Sequence, residues 1–171
     1  MKKRELQVLG ELMRDSRKSD RVLAKKVGVS QPTVTRIRSK LEKEGYIKEY
    51  TLIPDFGKLG YELIAFTFLH FHEPLTDKEY SKVEEEAREL AKEIPQTTLM
   101  IMSGTGFGFE RVVVSVHENF TCLTRLLELI RRTSIRPIDD MKTFIATLGA
   151  GRHFQHPTFS MILEHLLKRE N

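Results

Sequence analysis

The sequence predicts an α+β protein, in which an N-terminal winged helix-turn-helix is followed by a ferredoxin-like βαββαβ domain. Residues 19–45 form two short helical patterns separated by a glycine, and residues 61–148 follow the order β-α-β-β-α-β. Charge divides the chain at the same place. Residues 1–60 hold 15 Lys+Arg and 8 Asp+Glu (+7), whereas residues 61–171 hold 13 and 16 (−3). A basic N-terminal part followed by a mildly acidic C-terminal part is typical of a nucleic-acid-binding domain joined to another domain.

Three segments are therefore predicted: a helix-turn-helix domain over 1–60, a ferredoxin-like domain over 61–148, and an extension with an amphipathic helix over 149–171. No apolar run approaches the length of a membrane span, and no signal-peptide pattern opens the chain. The single cysteine, Cys122, excludes an internal disulfide and is expected to be a buried structural thiol. These features favour a cytoplasmic protein with no membrane partner. The 30% of charged residues favours an archaeal or thermophilic source.

A first helix is predicted over residues 2–14, with an apolar stripe of Leu6, Leu9 and Met13 that has Val8 and Leu12 beside it. The second helix begins at Ser19 or Asp20, either of which can cap it, and ends at Gly28, which tolerates the left-handed conformation. Ser30 caps the third helix, and Pro32 lies in its first turn, where a missing N–H does no harm.

The third helix has the pattern of a recognition helix. Helical spacing turns Val34, Ile37 and Leu41 inward and leaves polar and basic residues outside. The expected base contacts are Gln31, Thr35, Arg36 and Ser39, and the expected phosphate contacts are Arg38, Lys40 and Lys43. Ser30 and Thr33, at the start of the helix, complete the predicted DNA-binding set. The alternative is an ordinary helical hairpin with a solvated charged face.

Residues 46–54 are rich in β-branched and aromatic side chains, which predicts a short strand leading out of a winged helix. If extended, this segment places Tyr46, Lys48, Tyr50 and Leu52 on one face.

The second domain is predicted as strands over 63–72, 97–102, 109–117 and 138–148, with helices over 76–94 and after Asn119, which caps the second of them. The stripe of that capped helix is Phe120, Leu123, Leu127 and Ile130, with Cys122 and Leu126 beside it. Two helices cover only one face of a four-stranded sheet, yet the strands are apolar on both faces. The second face therefore predicts a homodimer, which would present two helix-turn-helix heads to a roughly palindromic DNA site.

The order of the two domains resembles the Lrp/AsnC (feast/famine) transcription regulators. The residues that carry the resemblance are Asp15–Arg17, Ala24, Gly28, Ser30–Val34, Arg36 and Leu41–Ile47. The resemblance implies sequence-specific binding of double-stranded DNA, dimers that often assemble into larger even-numbered oligomers, and an amino acid or related metabolite as effector. It implies no cofactor.

One loop departs from that family. Where its members usually carry carboxylates after a glycine, this chain has Phe107 and Phe109. The corresponding turn, and the candidate effector site, consists of Gly104, Thr105, Gly106, Phe107 and Gly108, whose glycines would let backbone amides approach a small anion. The alternative is a simple hairpin turn.

Histidines offer a rival hypothesis. His70 and His72 share one face of a strand and are the candidates for a metal site, which would make the protein a metal-responsive DNA-binding regulator. Neither has carboxylate or thiolate residues at ligand spacing, so no metal site is assigned. Enzyme signatures such as a phosphate loop or a nucleophile elbow are absent from the sequence, and we expect no catalytic activity.

Overall fold

The computed structural model describes residues 1–72, 97–134 and 137–148. The chain divides into two compact units between Ile53 and Pro54, a little before the limit of residue 60 expected from the sequence. The second unit starts early because the rings of Phe56 and Tyr61 stack edge to face, 6.0 Å apart, and pack against its apolar cluster. Within the described ranges, no helix is both long and apolar enough to cross a membrane.

The first unit contains three helices: α1 (Lys3–Arg14), α2 (Asp20–Val27) and α3 (Gln31–Lys43). The predicted ends are confirmed. Ser19 caps α2 by accepting a hydrogen bond from the Val22 amide, and Gly28 ends it in the left-handed region with φ of 70°. Ser30 caps α3 by accepting from the Thr33 amide.

The core of this unit lies where the three helices meet, and its buried residues are Val8, Leu12, Leu23, Ala24, Val27, Val34, Ile37 and Leu41. On α1, Leu6 is buried as predicted and Leu9 packs against the core, but the stripe is centred on Val8 and Leu12, which were expected beside it, and Met13 is only half-buried. The helix packs against both α2 and α3, so its buried face lies between the two contacts.

The strand predicted over residues 46–54 is not formed; this segment is irregular. A strand needs a neighbour to complete its backbone hydrogen bonds, and among the described residues no other segment pairs with it. Ile47 packs against the helical core, whereas Tyr46, Tyr50 and Leu52 are exposed.

The second unit contains β1 (Leu63–Phe71), β2 (Thr98–Gly106), β3 (Phe109–His117), α4 (Phe120–Thr133) and β4 (Ile138–Thr147). The strands form one antiparallel sheet in the order β2-β3-β1-β4, as expected for the ferredoxin-like fold. The fold class predicted from the sequence is confirmed. The helix predicted over 76–94 and the extension over 149–171 lie outside the described residues.

Helix α4 covers one face of the sheet. Asn119 caps it as predicted, accepting from the Cys122 amide at 3.0 Å. Its buried residues are Leu123, Leu126 and Ile130, the last two packing against strand residues Leu69, Phe71 and Val113. Two expectations were wrong: Phe120 is 62% exposed and Cys122 is half-buried. Both precede the part of the helix that meets the sheet.

The opposite face of the sheet carries apolar side chains that α4 does not cover. Cross-strand partners share a face, so the register places Met100, Val114, Phe66 and Phe144 together, opposite Val113. Phe144 is 63% exposed and Met100 43%.

Candidate nucleic-acid interface

The outer surface of α3 gathers most of the side chains that the sequence predicted to contact DNA. The sequence predicted that Val34, Ile37 and Leu41 face the core, and this is confirmed, because they are the buried residues of the helix. The exposed residues from the predicted set are Ser30, Gln31, Thr35, Arg36, Ser39, Lys40 and Lys43, with Thr33 and Arg38 half-buried.

Two cations of this surface are available to an external anion. No ion pair to Arg36 or Lys43 occurs within the described ranges, and both side chains are exposed. Lys43 also belongs to the last turn of α3. Arg36 can form paired hydrogen bonds with guanine, and a lysine suits a phosphate as a point charge.

Ser30 and Thr33 close the N-terminus of the helix. Ser30 Oγ accepts from the Thr33 amide at 3.4 Å and lies 2.8 Å from Thr33 Oγ1. The two hydroxyls therefore bond to each other and to the helix start, where orphan amides point outward.

Arg38 is held within the first unit. Its Nη2 lies 2.7 Å from Asp20 Oδ1 and 3.1 Å from the Lys18 carbonyl oxygen. The guanidinium also lies over the Tyr50 ring, 5.7 Å from its centroid. Tyr50 in turn donates to Glu42 Oε1 at 2.8 Å, so these contacts tie the segment after α3 back onto the helix.

Lys40 is similarly engaged. Its Nζ lies 2.7 Å from Glu5 Oε1 and 3.7 Å from Glu44 Oε1. The hydrogen bond to Glu5 raises the pKa of Lys40. The side chains of Arg38 and Lys40, both predicted to contact phosphate, therefore join α3 to α1 and α2 in the free protein.

Two acidic residues form contacts that the sequence did not predict: Asp20 beside α3, and Glu11 between α1 and α2. Asp20 accepts from Thr35 Oγ1 at 2.7 Å as well as from Arg38. Glu11 bonds Arg14 at 2.9 Å, Lys18 at 2.9 Å and Lys26 at 3.0 Å.

The predicted effector loop is shorter than expected. Gly104, Thr105 and Gly106 belong to β2, and the turn consists only of Phe107 and Gly108. Both turn residues have positive φ, 54° and 77°, which is the geometry of a two-residue type I′ hairpin. The prediction of a five-residue turn was wrong because strand pairing resumes at Gly106 with Phe109, after a register shift between Ser103 and Gly106, and leaves only two residues for the turn.

The histidines proposed for metal each pair with a carboxylate instead. His70 Nδ1 lies 3.0 Å from Glu110 Oε1, and His72 Nδ1 lies 3.1 Å from Asp139 Oδ2. In the parts of the chain that are described, no group of three or more His, Cys, Asp or Glu side chains converges as metal ligands would. The metal-responsive alternative is thus without support.

Comparison with known proteins also indicates a DNA-binding role for the helices of the first unit. Residues 1–48 match the family described as winged helix-turn-helix DNA-binding. The chain is 46% identical over 56 residues to the HTH-type transcriptional regulator LrpC of Bacillus subtilis, which covers 33% of this chain and 39% of that protein. It is 31% identical over 107 residues to an uncharacterised HTH-type transcriptional regulator of Pyrococcus horikoshii, which covers 63% of each. The matched part thus spans less than two thirds of either relative.

Solved structures extend the similarity to the whole fold. A transcriptional regulator of Neisseria meningitidis, solved as a complex with L-Met, superposes with a TM-score of 0.75 at 17% identity, covering 97% of this chain and 99% of that one. AsnC of E. coli superposes with a TM-score of 0.66 at 19% identity, covering 92% and 99%. At these identities the likeness establishes the fold alone.

Proposed function

We propose that the chain is a member of the Lrp/AsnC family and a sequence-specific, double-stranded-DNA-binding transcription regulator, because residues 1–48 match a winged helix-turn-helix DNA-binding family and the fold resembles that of AsnC. The main support for this proposal is that polar and basic side chains are exposed on the outer face of α3. Gln31, Arg36, Ser39 and Lys43 are exposed there together. Gln and Arg can each bond a base edge in two places, which a merely solvated helix face does not need.

Within this proposal, Gln31, Thr35, Arg36 and Ser39 contact bases, and Lys43 contacts phosphate. Arg38 and Lys40 fix the position of α3 through their bonds to Asp20 and Glu5. Phosphate contacts release counterions, so binding weakens steeply as salt rises.

The protein acts as a homodimer in this proposal, joined through the sheet face that carries Met100, Phe66 and Phe144. An exposed apolar face of this kind marks an interaction site, and a second copy offers the same surface. Larger even-numbered oligomers built from the dimer and a cytoplasmic location are part of the same proposal.

The proposed effector is a small molecule of the amino-acid class. The relative from Neisseria meningitidis was solved with L-Met, and the hairpin from Gly104 to Gly108 is the candidate site here. Because Phe107 is 98% exposed where the family usually carries carboxylates, we expect selectivity to differ from that of a regulator with an acidic turn.

Selection of genomic DNA fragments by the purified full chain tests the function. We expect enrichment of a shared, roughly palindromic site, and binding that weakens steeply with added salt. Fragments captured without any common sequence would rule out specific recognition. A lack of salt-sensitive duplex binding would instead favour a protein-contact role for the helix-turn-helix. Addition of zinc or copper should leave the binding unchanged.

A further inference from the structure

The hydroxyl group of Thr35 donates its proton in a hydrogen bond within the protein. Thr35 is exposed on α3, and its Oγ1 donates to Asp20 Oδ2 at 2.7 Å. Its other neighbour is the carbonyl oxygen of Gln31, at 3.2 Å. Both neighbours only accept hydrogen bonds, and a hydroxyl has one proton to give. The lone pairs of the oxygen and the methyl group remain to meet a ligand.

Asp20 is itself held from its other side. Its Oδ1 accepts from Arg38 Nη2 at 2.7 Å, and the same Nη2 donates to the Lys18 carbonyl at 3.1 Å. A guanidinium has donors and no acceptor. Arg38 thus orients the carboxylate and compensates its charge, so that Asp20 can lie close to a DNA surface without repelling it.

We infer that Asp20 sets the base preference of Thr35, making this threonine an acceptor-only reader. In the major groove, adenine presents an N6 amino group and cytosine an N4 amino group, whereas guanine and thymine present acceptors at the matching positions. Thr35 should therefore select adenine or cytosine at the position it reads. This inference rests on the proposed function, and in it Asp20 is a positioning residue that acts through Thr35.

The substitution Asp20→Asn tests this inference, because it changes which group donates between residues 20 and 35. Arg38 can only donate, so the amide oxygen of the new side chain must face Arg38 and its NH₂ group must face Thr35. Thr35 Oγ1 would then accept from that amide, and its proton would be shared between the Gln31 carbonyl oxygen at 3.2 Å and an acceptor outside the protein. The hydroxyl would no longer be acceptor-only, so its preference for an amino group on the base should weaken.

The test selects bound duplexes from a random library with the full-length wild-type protein, Asp20→Asn and Thr35→Val. We expect the wild type to prefer adenine or cytosine at one position of each half-site by about three- to tenfold, the value of one hydrogen bond. Asp20→Asn should weaken the preference for adenine or cytosine at that position alone. Thr35→Val keeps a methyl group and loses the hydroxyl, so it should lose the preference at that position and retain the others.

A second measurement uses a fixed site in which the selected base is replaced by its analogue without the amino group. Wild-type affinity should fall by a similar three- to tenfold, and Thr35→Val should not respond. This measurement shows whether Thr35 accepts from the base, even where Asp20→Asn does not fold. An unchanged base preference in folded Asp20→Asn would overturn the role of Asp20, and a normal response to the analogue in Thr35→Val would overturn the reading role of Thr35 on which it depends; either result leaves the proposed function standing. Failure of the wild type to select any sequence would overturn both.

Discussion

Lys18 Nζ lies 2.9 Å from Glu11 Oε2 and 3.3 Å from the Glu11 carbonyl oxygen, so a single lysine binds both the side chain and the backbone near the end of α1. Lys26 and Arg14 reach the same carboxylate from α2 and from α1. Glu11 consequently joins α1 to α2 and to the turn between them through three ion pairs.

Because of these ion pairs, we expect the stability of the first unit to fall in acid. The hydrogen bond from Lys18, followed by those from Lys26 and Arg14 and opposed by burial, lowers the pKa of Glu11 from 4.5 to about 2. Stability from Glu11 is fully present above pH 4.5 and is lost as the pH falls toward 2. Glu11→Gln should cost about 2 kcal/mol at neutral pH, after allowance for solvent screening, and about nothing in strong acid.

Urea unfolding of the full chain at low salt and several pH values, followed by circular dichroism, measures this difference, because urea does not screen ion pairs. The control is Glu49→Gln, which alters an exposed glutamate of the irregular segment and should leave the curve unchanged. An equal loss of stability at every pH in Glu11→Gln would show that the ion pairs are not its cause.

Protonation of His117 should destabilise the second unit. His117 is 1% exposed, its Nε2 lies 2.8 Å from Ser115 Oγ, and burial lowers the pKa of its imidazole. The neutral ring therefore contributes stability above the ordinary pKa of about 6.5, and this contribution is lost as the pH falls through the lowered pKa. His117→Gln should flatten that part of the stability profile.

The profile is obtained from thermal unfolding between about pH 8 and 5, the range in which histidines titrate. His72→Gln is the matched control, since its side chain is 68% exposed at a strand end. An unaltered slope in His117→Gln, together with a lost slope in His72→Gln, would place the titrating group elsewhere.

Phe107→Asn should stabilise the protein. A phenylalanine with φ of 54° is strained, whereas asparagine accepts this conformation and is favoured before glycine in type I′ turns. Since the Phe107 side chain is almost fully exposed, little packing is lost. We expect a gain of about 0.5–1 kcal/mol in the free energy of unfolding. Thr105→Asn, in β2, should give no such gain. A loss in Phe107→Asn would mean that the ring has a partner in solution.

Phe144→Glu should separate the proposed dimer into monomers. Phe144 lies on the sheet face opposite α4, 6.2 Å from the Phe66 ring, and a buried unpaired charge there would be costly. Phe120→Glu is the control, because Phe120 is equally exposed at the start of α4. Sedimentation velocity should show a smaller species for Phe144→Glu alone. A dimeric Phe144→Glu would exclude this face as the contact.

Arg36→Ala and Lys43→Ala should weaken DNA binding in different ways. If Arg36 pairs with a base, its loss costs about 1–3 kcal/mol and relaxes the preference at that position. Loss of Lys43 should weaken all sequences alike and reduce the salt dependence. Titrations of matched and mismatched duplexes at several salt concentrations separate the two effects. Unchanged affinity and preference in Arg36→Ala would show that α3 is not the recognition helix.

The sequence predicted the features that depend on local spacing. The 3.6-residue period identified Val34, Ile37 and Leu41 as the inner side of α3, and capping chemistry located both ends of α2. The succession of the four strands along the chain also followed from the alternation of patterns.

The features that it missed depend on contacts between distant elements. Asp20 and Thr35 lie 15 residues apart and meet because of how α2 crosses α3. The segment after α3 has strand-like residues, but strand formation requires a partner that the sequence pattern does not supply. The glycines at 104 and 106 indicated a turn, whereas sheet register limited the turn to two residues.

The sheet of the second unit is closed by residues that are far apart in the chain. Thr67 of β1 faces Thr143 of β4 across 76 positions, whereas the contact between Glu5 and Lys40 in the first unit spans 35 positions. Local contacts form quickly and distant strand pairing is slow. We therefore expect the helical unit to fold early during synthesis. The sheet can fold only after its last strand has left the ribosome. Each new chain would complete its α3 surface before it could join a second copy through the sheet.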